Sequence, residues 1–140
     1  MDIKIGKGVE NILFGQTEEQ LINAYGLPNK KYILESEDIC WDYNALQIAV
    51  NIDSEDDRVS WIDIKNKDTK LLGYYLWDKD KQGIIELLER LLDVSHIEND
   101  YGSLESVEFE DHGLELQFVL GRLTSINIGY IFDDDGMPIW

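Results

Sequence analysis

Two stretches of this 140-residue chain carry the same alternating apolar pattern, and that repetition constrains the fold more than any other feature. In the first, Ile39-Cys40-Trp41 leads to Leu46, Ile48, Val50 and Ile52, then to Val59-Ser60-Trp61-Ile62-Asp63-Ile64. In the second, Val107-Glu108-Phe109 leads to Leu114, Leu116, Phe118 and Leu120, then to Leu123-Thr124-Ser125-Ile126-Asn127-Ile128. Apolar residues at period two make half-buried strands, because successive side chains leave a strand on opposite faces. Links this short join antiparallel neighbours. Each copy therefore reads as a meander, with strands at 38–43, 46–52 and 58–65 and again at 104–110, 114–120 and 123–131. The connections carry turn residues: Asn44, the acidic run Asp53–Asp57, Asp111-His112-Gly113 and Leu120-Gly121-Arg122.

A helix precedes each copy. Thr17 with Gln20 forms a capping box, and Glu18 and Glu19 suit the positive end of the helix dipole. Leu21, Ile22 and Tyr25 follow at helical spacing, and Gly26 and Pro28 end a helix over 17–25. Asp80 caps a longer helix over 81–93, whose inner side is Ile84, Ile85, Leu87, Leu88, Leu91 and Leu92. Leu13-Phe14 before Thr17 matches Leu76-Trp77 before Asp80. Residues 3–14 read as a short strand or extended arm, 31–34 and 71–77 as strands, and 95–103 as a polar link. The expected fold is α+β in a single domain spanning 1–140. Tandem helix-plus-antiparallel-meander repeats, about 9–66 and 71–131, would form a sheet with two helices on one face and the other face open. After Pro138, the pair Ile139-Trp140 reads as docking on the body.

The charge is lopsided: 29 acidic against 12 basic residues, a net charge of −17 and a pI near 4.2. Such a surface repels nucleic acid and anionic lipid and steers cationic partners inward. The N-terminus has no signal-peptide pattern, no stretch has transmembrane length, and the lone Cys40 sits in an apolar strand pattern. A reduced, cytoplasmic setting is the expectation.

No catalytic motif competes with a binding role, so no enzymatic activity and no cofactor are expected. Residues 78–89 match an EF-hand calcium loop at Asp78, Asp80, Gly83, Ile85 and Glu89. Gln82 departs from that pattern, and Leu71–Trp77 is a poor incoming helix, so Asp80 reads better as a cap. His96 and His112 lack zinc spacing, and no phosphate loop is present. Acidic clusters lie at 35–38, 53–57, 105–111 and 133–135. In the strand 58–65, Ile62 and Ile64 face one way, which puts Trp61 on the open face. An aromatic anchor rimmed by acids is what a protein-binding hot spot needs. The expected contact residues are Asp53, Glu55, Asp56, Asp57, Trp61, Asp63, Glu108, Glu110 and Asp111.

The segment Ile12-Leu13-Phe14-Gly15-Gln16-Thr17-Glu18-Glu19-Gln20-Leu21, with Tyr25-Gly26-Leu27-Pro28, resembles the "G-x-S/T-x-E-x-V … L-G-x-P" element of the beta-lactamase inhibitor protein and the SmpA/OmlA lipoproteins. Those pack short helices on an antiparallel sheet. In size, charge and layout the whole chain also resembles immunity proteins of bacterial polymorphic and contact-dependent toxin systems. That resemblance implies occlusion of a basic, nuclease-type toxin. An exposed sheet edge makes a monomer or weak homodimer the expected state, and the acidic charge leaves no nucleic acid and no membrane as expected partner. The alternative is an acidic DNA mimic that occupies a nucleic-acid-binding protein, although these acid clusters are unevenly spaced for one.

Overall fold

The computed structural model describes residues 1–139; the docking expected of Trp140 lies outside the described residues. In chain order the elements are β1 (Asp2–Lys4), β2 (Gly8–Val9), β3 (Ile12–Leu13), α1 (Glu18–Tyr25), β4 (Lys30–Ile33), β5 (Ile39–Tyr43), β6 (Ile48–Ile52), β7 (Val59–Ile64) and β8 (Lys70–Leu71). There follow α2 (Lys81–Leu92), β9 (Ile97–Asp100), β10 (Leu104–Phe109), β11 (Leu114–Val119), β12 (Arg122–Gly129), β13 (Ile131–Phe132) and β14 (Pro138–Ile139). The fold is α+β. Its main sheet has eight antiparallel strands in the order β4-β5-β6-β7-β12-β11-β10-β9. The four strands after α1 fill one half and the four after α2 fill the other. The halves meet where β7 pairs with β12, Trp61 opposite Gly129 and Ile62 opposite Ile128.

The period-two pattern decides which face is covered. Trp41, Val50, Ile62, Ile126, Leu116 and Val107 are fully buried and belong to one apolar core. Leu21 of α1 and Ile84, Ile85 and Leu88 of α2 belong to the same core. Burying a side chain of this size contributes roughly 1.5–3 kcal/mol. The helix starts are as the sequence indicates. The Gln20 amide donates to Thr17 Oγ1 at 3.3 Å, and the Thr17 amide donates to Gln20 Oε1 at 2.9 Å. Asp80 Oδ1 accepts from the Gly83 amide at 2.7 Å.

Three expectations need correction. Residues 71–77 are not a strand: β8 stops at Leu71, where Leu71 and Tyr74 exchange backbone hydrogen bonds of 3.0 and 2.9 Å. Leu72 and Gly73 adopt φ of 52° and 81° to make that turn. Residues 3–14 are not one strand or arm. They fold back through β1, β2 and β3, and β1 pairs with β8 to complete a small four-stranded sheet. Gly8 is required there, because a Cβ would lie 2.0 Å from the Ile12 carbonyl oxygen. Finally, the polar link 95–103 contains β9, which pairs with β10 from Ile97–Glu108 to Asp100–Glu105. An edge strand of Ile-Glu-Asn-Asp has no apolar alternation to betray it, and its pairing comes from its neighbour.

Candidate functional site: the uncovered sheet face

Residues directly opposite one another on paired strands share a face. Register partners can therefore be followed across the whole sheet, away from the core. One row runs Lys30, Asp42, Ala49, Asp63, Asn127, Glu115, Glu108, Ile97. Four of these eight positions are carboxylates: Asp42, Asp63, Glu115 and Glu108. Beside it lies a row of Tyr32, Cys40, Asn51, Trp61 and Gly129. On the other side lie Asn99, Ser106, Gln117 and Ser125.

The face is held by a chain of side-chain hydrogen bonds. Trp61 Nε1 donates to Asn127 Oδ1 at 3.1 Å, and Asn127 Nδ2 donates to Ser125 Oγ at 3.0 Å. Ser125 Oγ donates to Gln117 Oε1 at 3.0 Å, and Gln117 Nε2 donates to Glu115 Oε1 at 3.0 Å. Ser125 and Asn127 are only 1% and 4% exposed, so these small polar groups form a floor beneath larger neighbours. Trp61 is half-buried. Its ring lies over Gly129, where a Cβ would come within 2.6 Å of Cε3. Fixed polar partners lock rotamers before any ligand arrives, which lowers the ordering cost of binding.

Two carboxylates of the row, Asp63 and Glu108, are under electrostatic stress. Burial raises the pKa of Asp63, the charges of Glu115 and Asp42 raise it further, and Lys65 opposes them. Asp63 Oδ1 is buried without a hydrogen-bond partner. Glu108 is raised by burial, then by Glu115 and Glu110. At the outer end, Tyr32 donates to Asp42 Oδ1 at 3.3 Å, and its phenol is raised by its hydrogen bond with Cys40 and by burial. Burial raises the Cys40 thiol, which is 7% exposed and unreactive in such a setting. Two open cavities flank the row. One of about 370 Å³ is lined by Tyr32, Asp42, Asn44, Ala49, Asp63 and Lys65. The other, about 240 Å³, is lined by Trp61, Glu108, Glu110, Gly113 and Glu115. A cation placed over either relieves the repulsion that the fold imposes.

The structure separates the expected contact residues into three places. Trp61, Asp63 and Glu108 lie on the uncovered face. Glu110 and Asp111 lie on the exposed 3-10 turn after β10, with Glu110 reaching the second cavity. Asp53, Glu55, Asp56 and Asp57 form the β6–β7 turn. There Asp53 Oδ1 accepts from the amides of Glu55 and Asp56 at 2.7 and 3.1 Å, while the other three acids are exposed. Asp42, Glu115 and Asn127 were not among the expected residues. Their signal was present, since each sits between inward residues: Trp41 and Tyr43, Leu114 and Leu116, Ile126 and Ile128. The EF-hand match does not form a loop, because helix α2 begins at Lys81 and Asp80 caps it. Among the described residues, no group of three or more His, Cys, Asp or Glu is placed to hold a metal ion. No helix among them is long and apolar enough to cross a membrane.

Neither a protein-family model nor a curated protein matches the chain. Among solved structures, the chain is similar to an extracellular protein containing a SCP domain from Bacillus anthracis, with 16% identity and a TM-score of 0.56. That match covers 93% of this chain and 48% of the other, so the chain spans about half of that protein's length. It is also similar to YjgB, a DUF4309 family protein from Bacillus subtilis, with 14% identity and a TM-score of 0.53 over 89% of this chain and 88% of that one. At these identities the likeness is one of fold.

Proposed function

We propose that this chain is an inhibitor of the immunity-protein kind, which binds a basic toxin domain and neutralises it by occlusion. The observation that carries the reading is the uncovered sheet face: a rigid polar surface with Trp61 beside a row of half-buried carboxylates. Charge steering speeds the encounter, and desolvation of an aromatic anchor slows release. The tandem arrangement, a helix and a four-stranded meander in each half, belongs to the same reading. It widens the face to eight strands, enough for a partner interface of roughly 800 Å² per side. The proposed compartment is the cytoplasm and the proposed state a monomer or weak homodimer, with no enzymatic activity.

The test is a pull-down from the native host lysate, eluted with a salt gradient. A single basic partner released only at high salt, whose nuclease activity this protein abolishes, supports the reading. Recovery of no partner, or of one indifferent to salt, sinks it. The second reading, an exported inhibitor, is favoured by the likeness to an extracellular protein. Cell fractionation decides between the two compartments. A DNA mimic would instead compete with duplex DNA for a nucleic-acid-binding protein, which a displacement assay on the captured partner distinguishes.

A further inference from the structure

We propose that copies of this chain associate end to end, with edge strand β4 of one copy pairing antiparallel with edge strand β9 of the next. The proposal goes beyond the toxin reading and does not depend on it. The main sheet ends in β4 on one side and β9 on the other. With eight strands, each antiparallel to its neighbour, these two edges run in opposite directions. A second copy shifted sideways, without being turned over, therefore offers β9 antiparallel to β4 and keeps its helices on the same side of the sheet. In an antiparallel pair, alternate residues turn their backbone groups toward the neighbour. The Leu34 amide donates to the Asp38 carbonyl at 2.8 Å, so Lys30 and Tyr32 bond inward to β5, and Lys31 and Ile33 turn their amides and carbonyls outward. The Tyr101 amide donates to the Leu104 carbonyl at 2.8 Å, so by the same alternation Glu98 and Asp100 turn theirs outward from β9.

The charges choose between the possible pairings. Strand β4 carries Lys30 and Lys31, and β9 carries Glu98 and Asp100. Charge on an edge strand deters pairing with a like edge. Here the two edges have opposite signs, so the deterrent acts between two β4 or two β9 strands and becomes attraction between unlike ones. Matching the outward backbone groups sets Lys31 opposite Asp100, Tyr32 opposite Asn99 and Ile33 opposite Glu98. Lys31 and Asp100 then share the helix side of the sheet, and opposite charges at facing positions stabilise a strand pair. Among the described residues, neither Lys30 nor Lys31 forms an ion pair. Their ammonium groups lie over the rings of Tyr32 and Trp41, 5.1 and 4.3 Å from the centroids. The same register covers Ile33, which is 75% exposed, and sets Tyr101, 66% exposed, against the stem of Lys30. Two copies joined in this way leave one edge of each sign free, so the association is heterologous and open rather than a closed two-fold dimer.

The experiment follows the full-length protein by sedimentation equilibrium over rising concentration. It is run at physiological ionic strength, where repulsion between the acidic bodies is screened beyond about 8 Å. We expect a weight-average mass that climbs past that of a dimer. Lys31→Glu and Asp100→Lys, each checked for native circular dichroism, should each weaken association at least about tenfold by setting like charges opposite one another. An equimolar mixture of the two should regain the association of the parent, because every junction between unlike variants again joins opposite charges. In the parent, amide exchange at Lys31, Ile33, Glu98 and Asp100 should slow as concentration rises, a readout that needs no variant. A mass that stays at the monomer or stops at the dimer overturns the proposal. So does a mixture that fails to recover, or exchange protection that falls away from these two edges. Capture of a toxin in the pull-down is independent of each of these outcomes.

Discussion

Replacing Gly129 by alanine tests whether Trp61 is clamped to the sheet centre. The added methyl would lie 2.6 Å from Trp61 Cε3 and 2.7 Å from Cζ3. Ordinary carbon contacts begin at about 3.5 Å, so the ring must retreat by close to 1 Å. Overpacking of this kind costs about 1–3 kcal/mol. Retreat also breaks the 3.1 Å bond from Trp61 Nε1 to Asn127, which contributes about 1 kcal/mol. Gly129 is not among the positive-φ glycines, so alanine fits its backbone and returns about 0.4–1 kcal/mol by restricting the unfolded chain. The net expectation is a loss of about 1–3.5 kcal/mol, read from urea unfolding followed by circular dichroism at constant m-value. The control is Trp61→Val, in which Gly129→Ala should turn neutral or stabilising because the clash has gone. A cost below about 0.5 kcal/mol in the parent protein, or an unchanged cost in the Trp61→Val background, would refute the clamp.

Three further outcomes are expected. His96 places Nδ1 3.1 Å from Glu89 and Nε2 3.2 Å from Glu98. Burial alone would lower its pKa, but hydrogen bonds to the two carboxylates raise it above 6.5. The folded state then binds more protons, so this contribution is complete below pH 6.5 and is lost as pH rises through the folded pKa. His96→Gln should flatten that part of the stability–pH curve in denaturant titrations. Asp63→Asn should stabilise the free protein at neutral pH while weakening partner binding, because burial and neighbouring acids disfavour the ionised Asp63 in the folded state. Equal or lower stability of Asp63→Asn at pH 7 would count against that electrostatic account. Thr17→Ala removes the capping-box acceptor of α1 and should cost about 1 kcal/mol in the same unfolding assay.

The residues that could be read in advance are those whose spacing has a single physical meaning. Ile48, Val50 and Ile52 alternate, so they mark a strand and its inward face, and the structure buries all three. Thr17 with Gln20, and Asp80 before an apolar helix, mark helix starts by local hydrogen bonding alone. Trp61 on the uncovered face follows from the inward Ile62 and Ile64. What escaped depends on partners distant in sequence. The strand β9 exists because β10 offers it an edge, and the small sheet of β1, β2, β3 and β8 needs Ile3 to meet Leu71. The outward direction of each carboxylate was readable from its inward neighbours, but their alignment into one row depends on distant partners in the same way. Asp42, Asp63, Glu115 and Glu108 become a line only once five strand pairings fix their register. Counting acids by local density drew attention to the 53–57 turn instead.

The joint between β7 and β12 also bears on how the chain reaches this state. Most pairs in the main sheet join neighbours through short turns, and such hairpins form in about 1–10 μs. Trp61 and Asn127, by contrast, stand 66 positions apart, so their contact closes a much longer loop. The closure entropy of so long a loop grows only slowly with its length, yet it must be met before the contact is gained. The two meanders are thus candidates for separate foldons, with their joining as the late event. A joint that forms late predicts that substitutions there speed unfolding and leave the folding rate nearly untouched, which a chevron plot of Trp61→Val would check. The surface around Trp61 would then be the last part of the molecule to exist and the first to be lost.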